Sequence, residues 1–202
     1  MTAAAGDVGA VVLAAGLSRR AGEQNKLLFD WQGRTVLRTV VDTVAAADIG
    51  DIIVVLGHQS DVVRAAIADA PVRCIVNERY AEGMAGSIAR GIMALPAGLA
   101  GALICLGDMP ALRAGTLIAL VQHFRANGGS RPCLPVHDGR RGNPVLWPRA
   151  AFDALRALSG DRGAKALLTR PRWAPLEVPV DDVGIHRDID TAEDLAAGAD
   201  RP

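Results

Sequence analysis

The sequence predicts an α/β fold in which helices flank an open, mostly parallel β-sheet. Three short apolar runs, typical of strands covered on both faces, lie at 8–13, 51–57 and 101–108. Segments with apolar residues at helical spacing lie between these runs. Because strand and helix alternate from residue 8 to about residue 127, we expect parallel strands joined by right-handed crossovers.

The first half of the chain also predicts where its helices begin. Thr35 precedes a helix whose apolar positions are Val36, Leu37, Val40, Val41 and Val44. A second helix is expected after Ser60, a candidate N-cap, and a third at about 87–95. In a sheet of this kind, ligands bind beyond the carboxyl ends of the strands. The turns that follow the first and third apolar runs are therefore expected to face one crevice.

The alternation of strand and helix patterns ends after residue 128. The segment RPCLPVHDGRRGNPVLW, at 131–147, indicates two extended pieces joined by a polar turn. We interpret it as a small antiparallel excursion over the crevice, followed by helical segments at 149–158 and 164–168. The length favours one domain over 1–202, with a core at about 8–195 and a flexible tail at 196–202.

Composition and charge exclude several classes of protein. Lys and Arg total 22 and balance 22 Asp and Glu, so no overall field attracts nucleic acid. No apolar run approaches the roughly 20 residues of a membrane span, and MTAAAGD lacks the pattern of a secretory signal. A cytoplasmic protein is expected. Cys74, Cys105 and Cys133 lie far apart without a C-x-x-C pattern, which disfavours zinc and disulfides.

The stretch LAAGLSRRAGEQNK, at 13–26, is the first candidate for chemistry. Its glycine and alanines let the backbone approach a ligand, while Arg19, Arg20 and Lys26 supply positive charge. The combination indicates an anion site. Neither G-x-x-x-x-G-K-[ST] nor G-x-G-x-x-G fits the stretch, so it is not one of the standard phosphate loops.

Carboxylates follow two predicted segments. Asp108, in LGDMP, ends an apolar run at the carboxyl edge and suits Mg²⁺ as an oxygen ligand, although it also fits a simple turn. In HRDIDTAEDLA, Asp188 and Asp190 would point the same way if the segment is extended. The alternative is a helix start, because Thr191 and Asp194 have capping-box spacing.

Three further motifs contain candidate site residues, and the first two of them leave two interpretations each. NERYAEGMAGSIARG brings Asn77 and Ser87 together before a helix, which fits either a ligand at free amides or capping by Ser87. GRRGNPVLW, with Arg140 and Arg141, fits a solvated hairpin turn or an anionic substrate. LSGDRGAKALL places Asp161 among glycines at a helix start.

In this order, LAAGLSRRAGEQNK, LGDMP and DIDTAEDL resemble the nucleotidyltransferase family. The resemblance implies a Rossmann-like, nucleotide-diphospho-sugar transferase-like sheet and spans about 8–195. NERYAEGMAGSIARG, GRRGNPVLW and LSGDRGAKALL are more narrowly similar to the branch that contains the molybdenum cofactor cytidylyltransferases.

The resemblance implies roles for individual residues. Arg20 and Lys26 would bind the triphosphate and, with Asp108, act in catalysis, whereas Arg19 would be solvated. Mg²⁺, or Mn²⁺ in its place, would be held by Asp108 and Asp190. The implied nucleotide-binding residues are Leu13, Ala14, Ala15, Gly16, Arg20, Lys26, Gly83 and Ser87, and the implied substrate-binding residues are Asn77, Arg141, Asn143 and Asp161.

The implied reaction is transfer of CMP from CTP to the terminal phosphate of molybdenum-bound molybdopterin, with release of pyrophosphate. The choice of CTP follows from LAAG, since guanylyl members of the family tend to carry LAGG. The alternatives are another phosphorylated acceptor, such as a sugar or polyol phosphate, the guanylyl equivalent, and a non-catalytic molybdenum cofactor delivery protein. A molybdenum hydroxylase or its maturation factor is the implied protein partner.

Overall fold

The computed structural model describes residues 6–18, 24–47, 49–160, 163–191 and 193–195. The strands of these residues are β1 (Val8–Ala14), β2 (Asp30–Trp31), β3 (Arg34–Thr35), β4 (Ile52–Leu56), β5 (Arg73–Val76), β6 (Gly101–Leu106), β7 (Cys133–His137), β8 (Arg140–Arg141), β9 (Val145–Pro148) and β10 (Leu176–Pro179). The α-helices are α1 (Val36–Ala45), α2 (Ser60–Ala65), α3 (Met84–Ala94), α4 (Ala114–Ala126) and α5 (Phe152–Arg156). Short 3₁₀ helices lie at Lys26–Leu28, Tyr80–Glu82, Arg149–Ala151, Ala164–Thr169, Pro171–Trp173 and Val183–His186.

A mixed, mostly parallel sheet forms the centre of the molecule, as the apolar runs predict. Its strand order is β10-β7-β9-β6-β1-β4-β5, with β8 paired to β7. β1 is parallel to both β6 and β4, so that Val12 lies between Cys105 and Val54. β4 is in turn parallel to β5. The predicted α/β fold is therefore confirmed.

The antiparallel segment predicted near 131–147 extends this sheet. β9 is antiparallel to β6 and to β7, and β8 forms a hairpin with β7. Because two reversals restore the direction, β7 runs parallel to β6, and β10 is parallel to β7. The carboxyl ends of β1, β6, β7 and β10 consequently meet one edge of the sheet.

A separate two-stranded antiparallel sheet pairs β2 with β3. Gln32 and Gly33 form its turn with φ of 55° and 84°. These positive φ angles match the tight hairpin turns that favour glycine. This hairpin was not predicted from the sequence.

The helices begin near their predicted positions, with two corrections. Thr35 caps α1 as expected, since its hydroxyl accepts a hydrogen bond from Arg38 N at 3.2 Å. The N-cap of α2 is Gln59 rather than Ser60, and Gln59 adopts a left-handed conformation with φ of 53°. α3 begins at Met84, ahead of the predicted start at about residue 87, because Gly83 with φ of 113° breaks the preceding 3₁₀ turn.

Two hydrophobic clusters cover the two faces of the sheet. Apolar residues of α1 and α4 pack with β1 and β4 in one cluster, and those of α3 and α5 pack with β1, β4 and β9 in the other. At Gly91 of α3 a Cβ atom would lie 2.3 Å from Val11 Cγ1, so glycine permits the close approach of this helix to β1. Across the described residues, no helix combines the length and apolar character needed to cross a membrane.

Candidate active site

A cleft of about 490 Å³ opens at the carboxyl ends of β1 and β6. Its walls come from the turn after β1, the start of α3, the end of β6 and the segment near residue 190. The structure thus brings together every described residue of the predicted nucleotide-binding set, while Arg20 lies outside the described residues. Those that line the cleft are Leu13, Ala14, Ala15, Gly16, Lys26, Gly83 and Ser87.

The turn after β1 is held between the ends of the two neighbouring strands. Gly107 follows β6 and donates a hydrogen bond from its N–H to Leu13 O at 2.9 Å. Gly57 follows β4, and a Cβ atom there would lie 2.7 Å from Ala15 O. Small residues on both sides therefore fix the backbone at 13–16 against the sheet, where its groups face the cleft.

Asn25 connects the far end of this loop to Lys26. The buried Asn25 Oδ1 accepts hydrogen bonds from Ser18 Oγ and from Leu27 N, both at 3.1 Å. Asn25 thereby caps the 3₁₀ helix that starts at Lys26. This local capping orders the backbone from which the Lys26 side chain enters the cleft.

The Lys26 ammonium bridges two carboxylates from distant parts of the chain. Its Nζ donates to Asp108 Oδ2 at 2.6 Å and to Asp190 Oδ1 at 2.8 Å. The three side chains are between 15% and 19% exposed, so the pairs are shielded from bulk water. Charge-assisted hydrogen bonds of this length are strong, and they unite the loop after β1 with the end of β6.

Burial changes the protonation equilibria of both partners. Burial lowers the pKa of Lys26, but the charges of Asp108 and Asp190 and the hydrogen bonds to them outweigh it, so the net pKa is raised above 10.5. Burial raises the pKa of Asp108, and Lys26 offsets this effect only in part, so the net pKa lies above its usual 3.8. Lys26 is therefore positively charged at neutral pH, and an ionised Asp108 favours a further cation beside it.

Three carboxylates form a cluster that fits a divalent cation. Asp108, Asp188 and Asp190 each offer an oxygen within 4.8 Å of the others. Oδ1 of Asp108 is buried and lacks a hydrogen-bond partner among the described residues. Hard carboxylate oxygens are the ligands that Mg²⁺ and Mn²⁺ take in proteins. The donor set and the unpartnered oxygen thus both suit such an ion.

The segment 188–190 is tied to the end of β6 through its middle residue. Ile189 N donates to Asp108 O at 2.8 Å, and the Ile189 side chain is buried. Asp188 and Asp190 flank Ile189 and both face the cleft, as the alternation of an extended segment requires. Asp188 was not in the predicted metal set, although its spacing from Asp190 already carried this signal.

Both interpretations of the motif DIDTAEDL apply, but to different side chains. Thr191 and Asp194 form the capping box, since Thr191 N donates to Asp194 Oδ2 at 2.8 Å and Asp194 N donates to Thr191 Oγ1 at 3.2 Å. The Asp190 carboxylate meanwhile binds Lys26. The cap therefore positions the chain just beyond Asp190 without using its carboxylate as the cap.

Ser87 lies inside α3 rather than at its N-cap. Its buried Oγ accepts a hydrogen bond from Asn77 Nδ2 at 3.0 Å. Asn77 Oδ1 accepts from Arg79 N at 3.1 Å, which fixes the orientation of the amide. Asn77 itself is buried behind Ser87 and is not among the residues that line the cleft. Tyr80 does line it, although no spacing in the sequence indicated that position.

Comparison with known proteins gives the family. The model described as the MobA-like NTP transferase domain matches residues 10–176. The chain belongs to this family. It thus has the domain of a nucleotidyltransferase, and nucleotidyltransferases typically use a divalent metal ion.

Three proteins are similar to this chain over nearly its full length. A curated relative, nicotine blue oxidoreductase from Paenarthrobacter nicotinovorans, is 28% identical over 92% of this chain and 93% of its own. The crystal structure of Rv0371c from Mycobacterium tuberculosis H37Rv matches with a TM-score of 0.87 and 28% identity over 98% of this chain and 100% of its own. A second crystal structure of that protein is a complex with manganese. Molybdopterin-guanine dinucleotide biosynthesis protein A from Archaeoglobus fulgidus shares the fold, with a TM-score of 0.69 and 18% identity over 95% and 96% of the two chains.

Two further residues predicted to bind substrate, Arg141 and Asn143, also do not line the cleft. Arg141 is exposed and forms an ion pair with Glu177 of β10, with Nη2 and Oε1 2.6 Å apart. Asn143 N donates to Ile185 O at 3.0 Å. Because Val145 is opposite Ile104, Asn143 lies near the carboxyl edge of β6, beside the cleft. Asp161 lies outside the described residues.

Proposed function

We propose that this chain transfers CMP from CTP to the terminal phosphate of molybdenum-bound molybdopterin and releases pyrophosphate, in the cytoplasm. The observation that carries the proposal is the meeting of Lys26, Asp108 and Asp190 beside the small-residue turn at 13–16. A buried cation next to a carboxylate cluster suits a polyphosphate and its divalent counter-ion. The family assignment supports nucleotidyl transfer as the reaction class.

In this reaction an oxygen of the acceptor phosphate attacks the α-phosphorus of CTP. The new P–O bond replaces the bond between the α- and β-phosphates, and pyrophosphate leaves. A phosphate oxygen is already ionised near neutral pH, so the protein needs no general base. The cleft must position two anionic substrates and stabilise the negative charge that develops on the leaving pyrophosphate.

Lys26 is suited to that electrostatic role. An ammonium group has three N–H donors, and among the described residues two of them bind Asp108 and Asp190. The third can donate to a phosphate oxygen of CTP. A divalent cation held by Asp108, Asp188 and Asp190 would supply Lewis-acid neutralisation of phosphate charge at the same place.

Ser87 lies in the wall of the cleft, where it can help to recognise a pyrimidine base. Because Ser87 Oγ accepts from Asn77, its own proton is free to be donated to a carbonyl oxygen of the base. Backbone groups at 14–16 supply further fixed donors and acceptors. A buried site that pairs with one base rejects another that leaves these groups without partners. We therefore expect CTP to be preferred over GTP and ATP.

The choice of molybdopterin as acceptor rests on the motifs NERYAEGMAGSIARG, GRRGNPVLW and LSGDRGAKALL. The decisive experiment measures pyrophosphate release from CTP, GTP and ATP with molybdenum-loaded molybdopterin, a sugar phosphate or a polyol phosphate. We expect release with CTP and molybdenum-loaded molybdopterin. Preference for GTP would replace the cytidylyl assignment, and turnover with a sugar or polyol phosphate would replace the acceptor. Tight cofactor binding without turnover of any NTP would favour a delivery protein.

The relative named nicotine blue oxidoreductase favours a second candidate, an oxidoreductase acting on nicotine blue, because it is similar over nearly the full length of both chains. The test is to mix the protein with nicotine blue and NADH or NADPH and to follow loss of the dye by absorbance. The proposed nucleotidyl transfer predicts no loss beyond that seen without protein. Loss of dye together with no pyrophosphate release would establish the second candidate.

A further inference from the structure

We propose that a second depression at the same sheet edge binds the pterin ring of the acceptor through its 2-amino-4-oxopyrimidine edge. This depression lies between residues 136–139, at the end of β7, and residues 179–181, at the end of β10. The inference rests on the proposed function, because it names where the non-reacting end of the acceptor would lie. It adds a binding site that is separate from the nucleotide cleft.

The topology places this depression within reach of the reacting groups. β7 and β10 both run parallel to β6, so their carboxyl ends share the edge that carries Asp108. They are the second and third strands from β6, and neighbouring strands are about 4.8 Å apart, so the lateral separation is about 10 to 14 Å. A bicyclic ring with a phosphorylated side chain can bridge that separation.

The polar groups of the depression accept N–H donors. His137 Nδ1 lies 3.1 Å from Val180 O, which places the ring proton on Nδ1 and leaves Nε2 as an acceptor in the neutral imidazole. The Asp138 carboxylate is 3.5 Å from Nε2, and the Asp181 carboxylate is 3.9 Å from Nδ1. A pterin presents an amino group and a neighbouring ring N–H on one edge, and a carboxylate can accept from both.

Charge at the depression favours one direction of the acceptor. Asp138 and Asp181 flank the depression and repel a phosphate, whereas in the cleft Lys26, together with a divalent cation held by the three carboxylates, would offset phosphate charge. Val136, Pro179 and Val180 add apolar surface on which a flat ring can lie. The acceptor is therefore oriented with its phosphate toward Lys26 and its ring over the ends of β7 and β10.

His186 lies close to His137, a residue of the depression. Its ring centroid is 6.5 Å from that of His137, and it precedes the carboxylate cluster by two residues at Asp188. Its Nε2 is buried and lacks a hydrogen-bond partner among the described residues.

The test measures binding of 6-hydroxymethylpterin by fluorescence titration, in the absence of nucleotide, with lumazine as the matched ligand. Lumazine keeps the bicyclic ring but has a carbonyl in place of the 2-amino group. We expect the protein to bind the pterin more tightly than lumazine. Asp138→Asn and Asp181→Asn should each weaken pterin binding roughly tenfold or more, as loss of a hydrogen bond to a charged group does.

The variants are chosen to keep the fold. Both carboxylates are exposed, and asparagine suits the left-handed backbone of Asp138, where φ is 49°. Asp51→Asn, at an exposed position before β4, is the control and should bind like the wild type. Equal affinity for pterin and lumazine, no detectable pterin binding, or unchanged binding in both variants would each overturn the proposal. Pterin binding that depends on Asp138 and Asp181, without pyrophosphate release from CTP, would uphold this site and reject the proposed reaction.

Discussion

The Lys26 ammonium donates a 2.6 Å hydrogen bond to Asp108, a residue 82 positions further along the chain. Lys26 also reaches Asp190, which is 164 positions away. One side chain therefore joins the loop after β1, the end of β6 and the C-terminal segment into a single charged site. Replacing it tests both the electrostatics of the cleft and the proposed reaction.

Lys26→Ala should lower kcat/KM for CTP by roughly 30-fold to 1000-fold, because loss of one preorganised charge-assisted contact costs about 2 to 4 kcal/mol in the transition state. Lys165→Ala is the matched control, since Lys165 is the other lysine of the chain and is exposed. Steady-state assays of pyrophosphate release give kcat/KM for both variants. A similar loss in the two variants would contradict the role of Lys26.

Arg20→Ala should reduce turnover by a factor similar to that of Lys26→Ala, whereas Arg19→Ala should cost much less. The two arginines lie outside the described residues, so this pair tests the role implied by the motif LAAGLSRRAGEQNK. The same pyrophosphate assay is used, with circular dichroism to verify that both variants fold. Equal losses at Arg19 and Arg20 would mean that the loop has been misassigned.

Asp108→Asn should weaken binding of Mn²⁺ about tenfold or more, which corresponds to loss of about 1.4 kcal/mol or more with one charged oxygen ligand. Asp188→Asn and Asp190→Asn each remove another carboxylate of the same cluster. Each should weaken Mn²⁺ binding by the same factor as Asp108→Asn or by a smaller one. Isothermal titration of the metal-free protein with Mn²⁺ gives the affinities, and Asp51→Asn is the control. If Asp190→Asn changes thermal stability but not metal affinity, Asp190 has only a structural role.

The raised pKa of Asp108 predicts a pH-dependent loss of stability in the metal-free protein. Between the usual pKa of 3.8 and the raised folded pKa, the native carboxyl keeps a proton that the unfolded chain has released. The free energy of unfolding therefore falls as pH rises through this window. Lys26 remains charged throughout, because its pKa is raised above 10.5.

Asp108→Asn removes this titration, so in the presence of a chelator its Tm should gain on that of the wild type as the pH rises above about 4. Differential scanning calorimetry across this range makes the measurement. Asp51→Asn should follow the wild type, because Asp51 is exposed. Parallel curves for Asp108→Asn and the wild type would show that burial does not disfavour the ionised carboxylate.

Gly91→Ala should destabilise the fold by about 1 to 3 kcal/mol, because a Cβ atom there would lie 2.3 Å from Val11 Cγ1 on the central strand. Gly115→Ala is the matched control on α4, where a Cβ atom meets nothing within 4 Å. That substitution should stabilise by about 0.4 to 1 kcal/mol. Urea unfolding measures both, and equal effects would contradict the packing of α3 on β1.

The sequence by itself determined the centre of the fold and part of the site. The runs at 8–13, 51–57 and 101–108 became β1, β4 and β6, because strands buried on both faces must be continuously apolar. Thr35 was identifiable as an N-cap because capping depends on residues three positions apart. By the same locality, the turn at 13–16 and Asp108 were expected at one edge, since both directly follow a parallel strand.

Only the tertiary structure decided which groups meet at that edge. β5 and β10 lie at the two ends of the main sheet and are partly exposed, so their apolar signal is weak. The contact of Lys26 with Asp190, the addition of Asp188 and Tyr80 to the cleft, and the pairing of Arg141 with Glu177 all depend on strand order and register. Residue spacing encodes local geometry over a few positions, whereas contacts across 82 or 164 positions arise only when the packed core brings the strand ends together.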